Sequence, residues 1–406
     1  MQQPVTSDLM TTTLLISVTG NDRPGVTRAL LDALAPTGFP LLDIEQVVIR
    51  GRLVLGLLLS TAEASEAEVE TARAAAGATA THLGLECDIQ AGDLGDDSRR
   101  HGRLLVTIIG NPLCPAGLAA VADAITELGA NIDRIIRVAS RPVTALELEV
   151  SGADQALLRA SLAQVSAAAG VDLAVQRQGL YRRGSRLVVM DVDSTLIQDE
   201  VIELIADQAG CGEAVTQVTQ QAMRGELDFA ESLQARVALL AGLPVSALDD
   251  VRAKVRLTPG ARTLCTTLIS MGFHVALVSG GFHEVVDPIA AELGVVSVRA
   301  NRLEIQDGKL TGRTLGTVVD RAGKAAALRD FAEQFGVPLD RTVAIGDGAN
   351  DLDMLAAAGL GVAFNAKPLV RAQADTAVNV PYLDTVLFLL GITREEIETS
   401  NAAQEA

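Results

Sequence analysis

The sequence predicts an α/β protein in which a parallel sheet with a helical insertion follows two smaller βαββαβ units. Three observations predict it. From about Arg186 onward, short apolar and β-branched runs alternate with long helical segments, the pattern of a parallel sheet covered by helices. The stretch from about Gln198 to Val255 interrupts that alternation; it is acidic and helical in period, and reads as an inserted cap. The first 180 residues contain a degenerate repeat. Leu14-Leu15-Ile16-Ser17-Val18-Thr19-Gly20-Asn21 matches Leu104-Leu105-Val106-Thr107-Ile108-Ile109-Gly110-Asn111 in type, and Leu42-Asp43-Ile44 is matched by Ile132-Asp133-Arg134 at the same offset.

In the first copy a strand ends at Gly20, and an amphipathic helix runs from about Pro24 with Leu30, Leu31 and Leu34 as its apolar stripe. Proline suits a first helical position because its missing N–H has no partner there. Strands follow around Ile44–Arg50 and Arg52–Ser60, then an Ala-rich helix from Glu66 to about Leu83 and a last strand. Asp93-Leu94-Gly95-Asp96-Asp97-Ser98-Arg99-Arg100 is polar and reads as a linker. The second copy repeats the order, with Asn111-Pro112-Leu113-Cys114-Pro115-Ala116-Gly117 as its first turn. The expected domains are 11–92, 102–178 and 185–395, the last with its cap at approximately 198–255, followed by a polar, flexible tail over 396–406.

Composition narrows the function. A 406-residue chain with 49% hydrophobic residues can bury two or three cores. Its net charge of -18 argues against nucleic acid or anionic membrane as a general partner, so an anionic substrate needs a local positive focus. The four cysteines (Cys87, Cys114, Cys211 and Cys265) form no CxxC pair and read as reduced thiols. No segment reaches the ~18 apolar residues of a membrane span. Met1-Gln2-Gln3-Pro4 lacks the features of a signal peptide, so the expected compartment is the cytoplasm.

The chemistry begins at Asp191-Val192-Asp193-Ser194-Thr195, directly after the strand-like Leu187-Val188-Val189-Met190. Two carboxylates delivered together to the carboxyl edge of a sheet imply a divalent cation, a shared proton or both. Three further pieces follow in order: His274-Val275-Ala276-Leu277-Val278-Ser279-Gly280-Gly281, Lys324 at a helix start, and Val343-Ala344-Ile345-Gly346-Asp347-Gly348-Ala349-Asn350-Asp351. A strand ending in Ser-Gly-Gly offers a hydroxyl and open backbone N–H groups to an anion.

This ordered set resembles the haloacid dehalogenase superfamily of phosphotransferases, with its Rossmannoid parallel sheet. The resemblance implies Asp191 as nucleophile, forming an aspartyl-phosphate, and Asp193 as general acid and base. Its acid role requires a pKa above the usual ~3.9, which burial would supply. Mg²⁺ would be held by the Asp191 carboxylate, the Asp193 backbone carbonyl and Asp347, with Asp351 orienting the shell around it. Ser279, Gly280 and Lys324 would bind the phosphate oxygens, and Asn350 would face phosphate or ligand.

Asp191 through Glu200, the cap stretches Met223-Arg224-Gly225-Glu226-Leu227-Asp228-Phe229 and Ser232-Leu233-Gln234-Ala235-Arg236-Val237, and the Ala300–Gly312 hairpin with its Asp307-Gly308 turn resemble the phosphoserine phosphatase family in particular. That resemblance implies Glu200 on the substrate ammonium, Arg236 on its carboxylate, and Met223 and Phe229 walling the pocket. On spacing alone, Glu200 and Arg236 read as solvated helix charges, and Met223 and Phe229 as packing. Asp228, Glu231 and Arg224 read as solvated surface, and His283 as a helix-start histidine that the chemistry does not need.

The strand–Gly20-x-Asp22-Arg23-Pro24-Gly25–helix start resembles the ferredoxin-like ACT domain, a family that binds amino acids. This implies L-serine as effector near Gly20, Asn21 and Asp22, with Gly110 and Asn111 in the second copy, and a homodimer formed through these domains. The second copy lacks the Asp-Arg pair. Both glycines are also explained by a tight strand-to-helix turn alone. Two alternatives stay open: a related phosphatase or phosphotransferase on another phospho-amino acid, and an amino-acid-sensing protein with a vestigial hydrolase.

Overall fold

The structure is a computed structural model that describes residues 12–93, 103–179, 184, 187–224 and 226–405. The linker at 94–102 and the junction residues 180–183, 185 and 186 lie outside the described residues. The chain divides into two compact units.

The first unit runs β1 (Thr12–Asn21), α1 (Val26–Leu34), β2 (Leu41–Ile49), β3 (Arg52–Ser60), α2 (Glu66–His82) and β4 (Glu86–Asp93). The antiparallel sheet has the order β2-β3-β1-β4. Alternate residues of β3 (Leu53, Leu55, Leu57 and Leu59) point inward against Leu30 and the small face Ala72, Ala76 and Ala80 of α2. Ser65 and Glu68 cap α2 reciprocally, which fixes its start. A Cβ on Gly20 would run into the tip of the Leu85 side chain, which would have to turn aside.

The second unit opens with a like fold: β5 (Leu104–Gly110), α3 (Pro115–Glu127), β6 (Asn131–Ala139), β7 (Thr144–Ser151), α4 (Gln155–Ala169) and β8 (Asp172–Arg177), in the sheet order β6-β7-β5-β8. It continues with β9 (Leu187–Asp191) and the helices α5 (Val201–Gln208), α6 (Gly212–Met223), α7 (Phe229–Ala238), α8 (Ala247–Lys254) and α9 (Ala261–Ser270). Next come β10 (His274–Phe282), α10 (His283–Glu292), β11 (Ser297–Gln306), β12 (Lys309–Leu315) and α11 (Arg321–Gln334). The rest is β13 (Thr342–Gly346), α12 (Leu352–Ala357), β14 (Leu360–Phe364), α13 (Pro368–Gln373), β15 (Thr376–Val378), α14 (Val386–Leu389) and α15 (Arg394–Glu405).

The seven-stranded sheet has the order β12-β11-β10-β9-β13-β14-β15, parallel except for the β11–β12 hairpin. Asp307 and Gly308 both adopt positive φ at the hairpin tip, as a type I′ turn requires. Residues 187–190 are fully buried, as befits a strand covered on both faces. Among the described residues no helix is long and apolar enough to cross a membrane.

Of the tail expected to be flexible over 396–406, residues 396–405 are instead helical, as part of α15. Ile397 is buried in the main core, and Arg394 pairs with Asp384 at 2.9 Å and Glu398 at 3.1 Å. One apolar side chain and these ion pairs hold a segment whose composition is otherwise polar.

Candidate active site

β9 lies between β10 and β13, so the chain leaves it on one side and returns on the other, and its carboxyl end is a topological switch point. In register, Asp191 stands beside Val278, one residue before Ser279, and Met190 stands beside Ile345, two before Asp347. The ladder itself therefore brings Asp191, Ser279 and Asp347 to one edge.

Asp191 is 2% exposed and Lys324 1%. Lys324 Nζ lies 2.6 Å from Asp191 Oδ1 and donates to Asp351 Oδ1 at 2.7 Å. The Asp191 contact is a fully buried ion pair, with the lysine ammonium against Oδ1. Burial disfavours the lysine cation, but the charges of Asp191 and Asp351 outweigh it and hold its pKa above the ordinary lysine value. Asp191 is raised well above the usual carboxyl range by burial and then by Asp351, with Lys324 acting the other way.

Asp351 also accepts from Gly348 N at 3.0 Å, so both its oxygens are engaged. It sits so close to the strand end that a Cβ on Gly346 would strike its carboxylate. Asp347 is half-buried and accepts from Thr195 Oγ1 at 3.3 Å. Burial, then the Asp351 charge, pushes it up to about 6 against the pull of Lys324. Oxygens of Asp191, Asp347 and Asp351 lie within 4.8 Å of one another. Three converging carboxylates with hard oxygens, and the single charge of Lys324 to balance them, fit a small divalent cation.

Asp193 accepts from Val201 N at 2.7 Å through Oδ1 and from Ser279 Oγ at 2.8 Å through Oδ2. Burial raises its pKa against those two hydrogen bonds and Lys324. Ser194 takes a left-handed backbone and donates to Glu200 Oε1 at 2.8 Å. Burial, then Asp193, pushes Glu200 up to about 7, although its outer side is open to solvent, which weakens those charges. Arg236, on α7, donates to Ser232 O at 3.3 Å. Burial lowers its pKa, and Glu200, Glu203 and Asp193 oppose that. Phe229 begins α7 and packs on the main core, and its ring tip would lie 3.4 Å from a Cβ on Gly280. The cap thus covers the Ser279-Gly280 turn.

A model of the haloacid dehalogenase-like hydrolase family matches residues 188–356, and two ACT-domain models match 12–89 and 103–176. A Streptomyces coelicolor protein named phosphoserine phosphatase is 58% identical over 402 residues, covering 99% of this chain and 97% of its own. The chain belongs to the phosphoserine phosphatase family. A second member, Mycobacterium tuberculosis phosphoserine phosphatase SerB2, is 51% identical over 395 residues, 96% of this chain and 95% of its own. The unliganded crystal structure of a Vibrio cholerae protein described as a probable phosphoserine phosphatase is similar with a TM-score of 0.58. It is 36% identical and covers 75% of this chain and 91% of its own.

Of the residues the sequence picks out, the structure gathers Asp191, Asp193, Lys324, Asp347 and Asp351 into one cluster, with Ser279 bonded into it. Asn350 stands half-buried in the loop after β13, its Oδ1 over Gly348. Met223 ends α6, and its side chain lies outside the described residues. His283 contacts Asp287 Oδ1 at 2.8 Å and accepts from Ala300 N at 3.3 Å, so both ring nitrogens are engaged away from the Asp191 cluster. Asn21, Asp22 and Asn111 are exposed at their strand ends, while Gly110 has Leu113 backbone 3.0 Å from where a Cβ would stand. Close packing against the Leu113 backbone accounts for Gly110 without a ligand.

Thr195, the last residue of the Asp191–Thr195 run with which the chemistry begins, bonds Asp347 at 3.3 Å. Sequence reasoning misses one group here. Asp228, expected to be mere surface, caps α7 in a box with Glu231, at 2.8 and 3.0 Å. An Asp-x-x-Glu spacing before an apolar run was the available signal.

Proposed function

We propose that this chain hydrolyses O-phospho-L-serine to L-serine and phosphate, the last step of serine biosynthesis. The observation that carries the reading is the buried Asp191–Lys324–Asp351 cluster at the switch point, with Asp193 beside it on Ser279. Asp191 attacks phosphorus, the bond from phosphorus to the serine oxygen breaks, and Asp193 gives its proton to that oxygen. Asp193, now a carboxylate, takes a proton from the water that attacks the aspartyl-phosphate, which releases phosphate and regenerates Asp191. The raised pKa of Asp193 supports its acid role.

Lys324, Ser279, the Gly280 N–H and Asn350 hold the phosphate oxygens, and Lys324 stays charged to do so. Glu200 takes the substrate ammonium and Arg236 its carboxylate, while Phe229 and Met223 exclude water. Asp191, Asp347 and the Asp193 backbone carbonyl would hold Mg²⁺, and Asp351, whose oxygens are already engaged, would support them. Bound there, the cation supplies positive charge against phosphate and the neighbouring carboxylates.

Residues 185–395, with the cap over 198–255, form the catalytic part, and the ACT domains at 11–92 and 102–178 form a module through which L-serine regulates it. β2 exposes Leu41, Leu42, Ile44, Val47, Val48 and Ile49 along an unpaired sheet edge, which supports a homodimer through these domains. The free cysteines suit a cytoplasmic location.

The test is phosphate release from phosphoserine, phosphothreonine and sugar phosphates, with Mg²⁺ and with chelator, for wild type and Asp191→Asn. Turnover of phosphoserine alone, lost with chelator and in Asp191→Asn, is expected. Unchanged turnover in Asp191→Asn rules out the nucleophile. Identical serine inhibition of the full chain and of one truncated before about Arg182 rules out regulation by the ACT domains.

A further inference from the structure

We propose that Asn301 is a positioning residue for the reaction, holding the Ser279–Gly281 turn in the shape that sets the Ser279 hydroxyl against Asp193. The proposal rests on the roles assigned above to Ser279 and Asp193. Asn301 lies on β11 and is 2% exposed. Its Nδ2 donates to Gly280 O at 2.8 Å, and its Oδ1 accepts from Val319 N at 2.8 Å.

The ladder explains why a side chain is needed there. β10 and β11 pair in register through Val278 and Arg299, and pairing resumes only at Phe282 and Asn301, so Ser279, Gly280 and Gly281 are pushed out of the ladder. The Gly280 carbonyl therefore takes its hydrogen bond from Asn301. That carbonyl and the Gly281 N–H are the two ends of one planar peptide, so fixing one aims the other. Gly281 N donates to Ser279 Oγ at 2.7 Å, and Ser279 Oγ donates to Asp193 Oδ2 at 2.8 Å. An unbroken run of hydrogen bonds thus leads from Asn301 to Asp193.

The other arm of the amide ends one residue before Asp320, whose carboxylate caps α11 by accepting from Gly323 N at 2.7 Å. Lys324 stands in the first turn of that helix. Asn301 therefore joins the two segments assigned to the phosphate oxygens. The position needs a donor and an acceptor on one short planar group. Aspartate has only acceptors, leucine has neither, and glutamine is a methylene too long.

The decisive variant is Asn301→Asp, which can still accept from Val319 N but turns an oxygen toward Gly280 O. For the folded enzyme with Mg²⁺, kcat falls about 100-fold while KM for phosphoserine changes by less than about threefold, since Glu200 and Arg236 are untouched. In a Ser279→Ala background, adding Asn301→Asp slows turnover by less than about threefold, because the residue acts through that hydroxyl. A near-wild-type kcat in the single variant, or a full second loss in the double variant, overturns the proposal. Wild type and the same variants are run on p-nitrophenyl phosphate as well. Failure on phosphoserine with turnover of that ester refutes the substrate reading, and the positioning is then read from the ester. Should Asn301→Asp not fold, hydrogen exchange on the wild-type enzyme decides: the Gly281 and Val319 amides are protected like the neighbouring strands, and free exchange at Gly281 overturns the proposal.

Discussion

Lys324 bridges Asp191 and Asp351, which leaves Asp347 without an ion pair of its own among the described residues. Its folded pKa of about 6 stands above the ~3.9 of an unfolded carboxyl. A carboxyl raised in this way adds to stability at low pH, and that contribution is lost as pH rises through about 6 in the metal-free protein. A cation on the ionised group reverses the loss, and protons compete with it. Mg²⁺ is therefore expected to raise the unfolding temperature by roughly 5–10 °C at pH 7.5 and a hundredfold excess over its dissociation constant. The shift should shrink toward pH 5 and nearly vanish in Asp347→Asn. Calorimetry with and without chelator checks this, and an undiminished shift in Asp347→Asn removes that residue from the metal site. Asp191 and Asp347 were legible in the sequence because each sits at the end of an apolar run, where a parallel strand must deliver it, and Lys324, at a helix start, and Asp351 were legible by their order after that first run. Asn301 was not, since an asparagine within a strand carries no such positional signal and its partners lie 21 and 18 residues away.

At the scale of elements, the strand and helix order followed from apolar periodicity, and the Asp307-Gly308 hairpin from turn chemistry. The docking of α15 did not, because one buried isoleucine leaves no period in a polar tail. On the roles proposed for Phe229, at its start, and Arg236, near its end, the cap helix α7 is the element that would select substrate. Its first turn is held by the exposed Asp228–Glu231 box together with the packing of Phe229 on the main core. Asp228→Ala should weaken that start by about 1 kcal/mol. If α7 must be ordered to bind substrate, KM for phosphoserine rises by roughly fivefold while kcat changes little. Steady-state kinetics at saturating Mg²⁺ checks it. An unaltered KM would mean that packing of Phe229, Leu233 and Val237 alone holds the helix in place.

At the scale of the whole molecule, the two repeats have different fates, although their sequences read as one tandem module. The first has its own core, while Ile109, Val138, Val143, Ala145 and Ala174 of the second join the main core of the catalytic sheet. The polar seam of this junction centres on Asp172, which is 5% exposed at the start of β8. Its carboxylate accepts from Asn379 N at 2.7 Å, Asn379 Nδ2 at 2.6 Å and Val380 N at 3.3 Å, just beyond the edge strand β15. Thr376 Oγ1 donates to Leu173 O at 2.9 Å, and Arg159 pairs with Asp375 at 2.5 Å alongside. These contacts cover the sheet edge that β15 would otherwise present to solvent. The second repeat is therefore built into the catalytic body. Replacing Asp172 by alanine strands those donors, which costs about 2 kcal/mol. Arg28→Ala, which breaks an exposed pair with Asp32 on α1, should change stability by less than about 0.5 kcal/mol. Denaturant unfolding of the two variants against wild type tests the difference. If Asp172→Ala unfolds at the wild-type midpoint, the repeat is held by its apolar contacts alone and the carboxylate clamp has no part in fixing it.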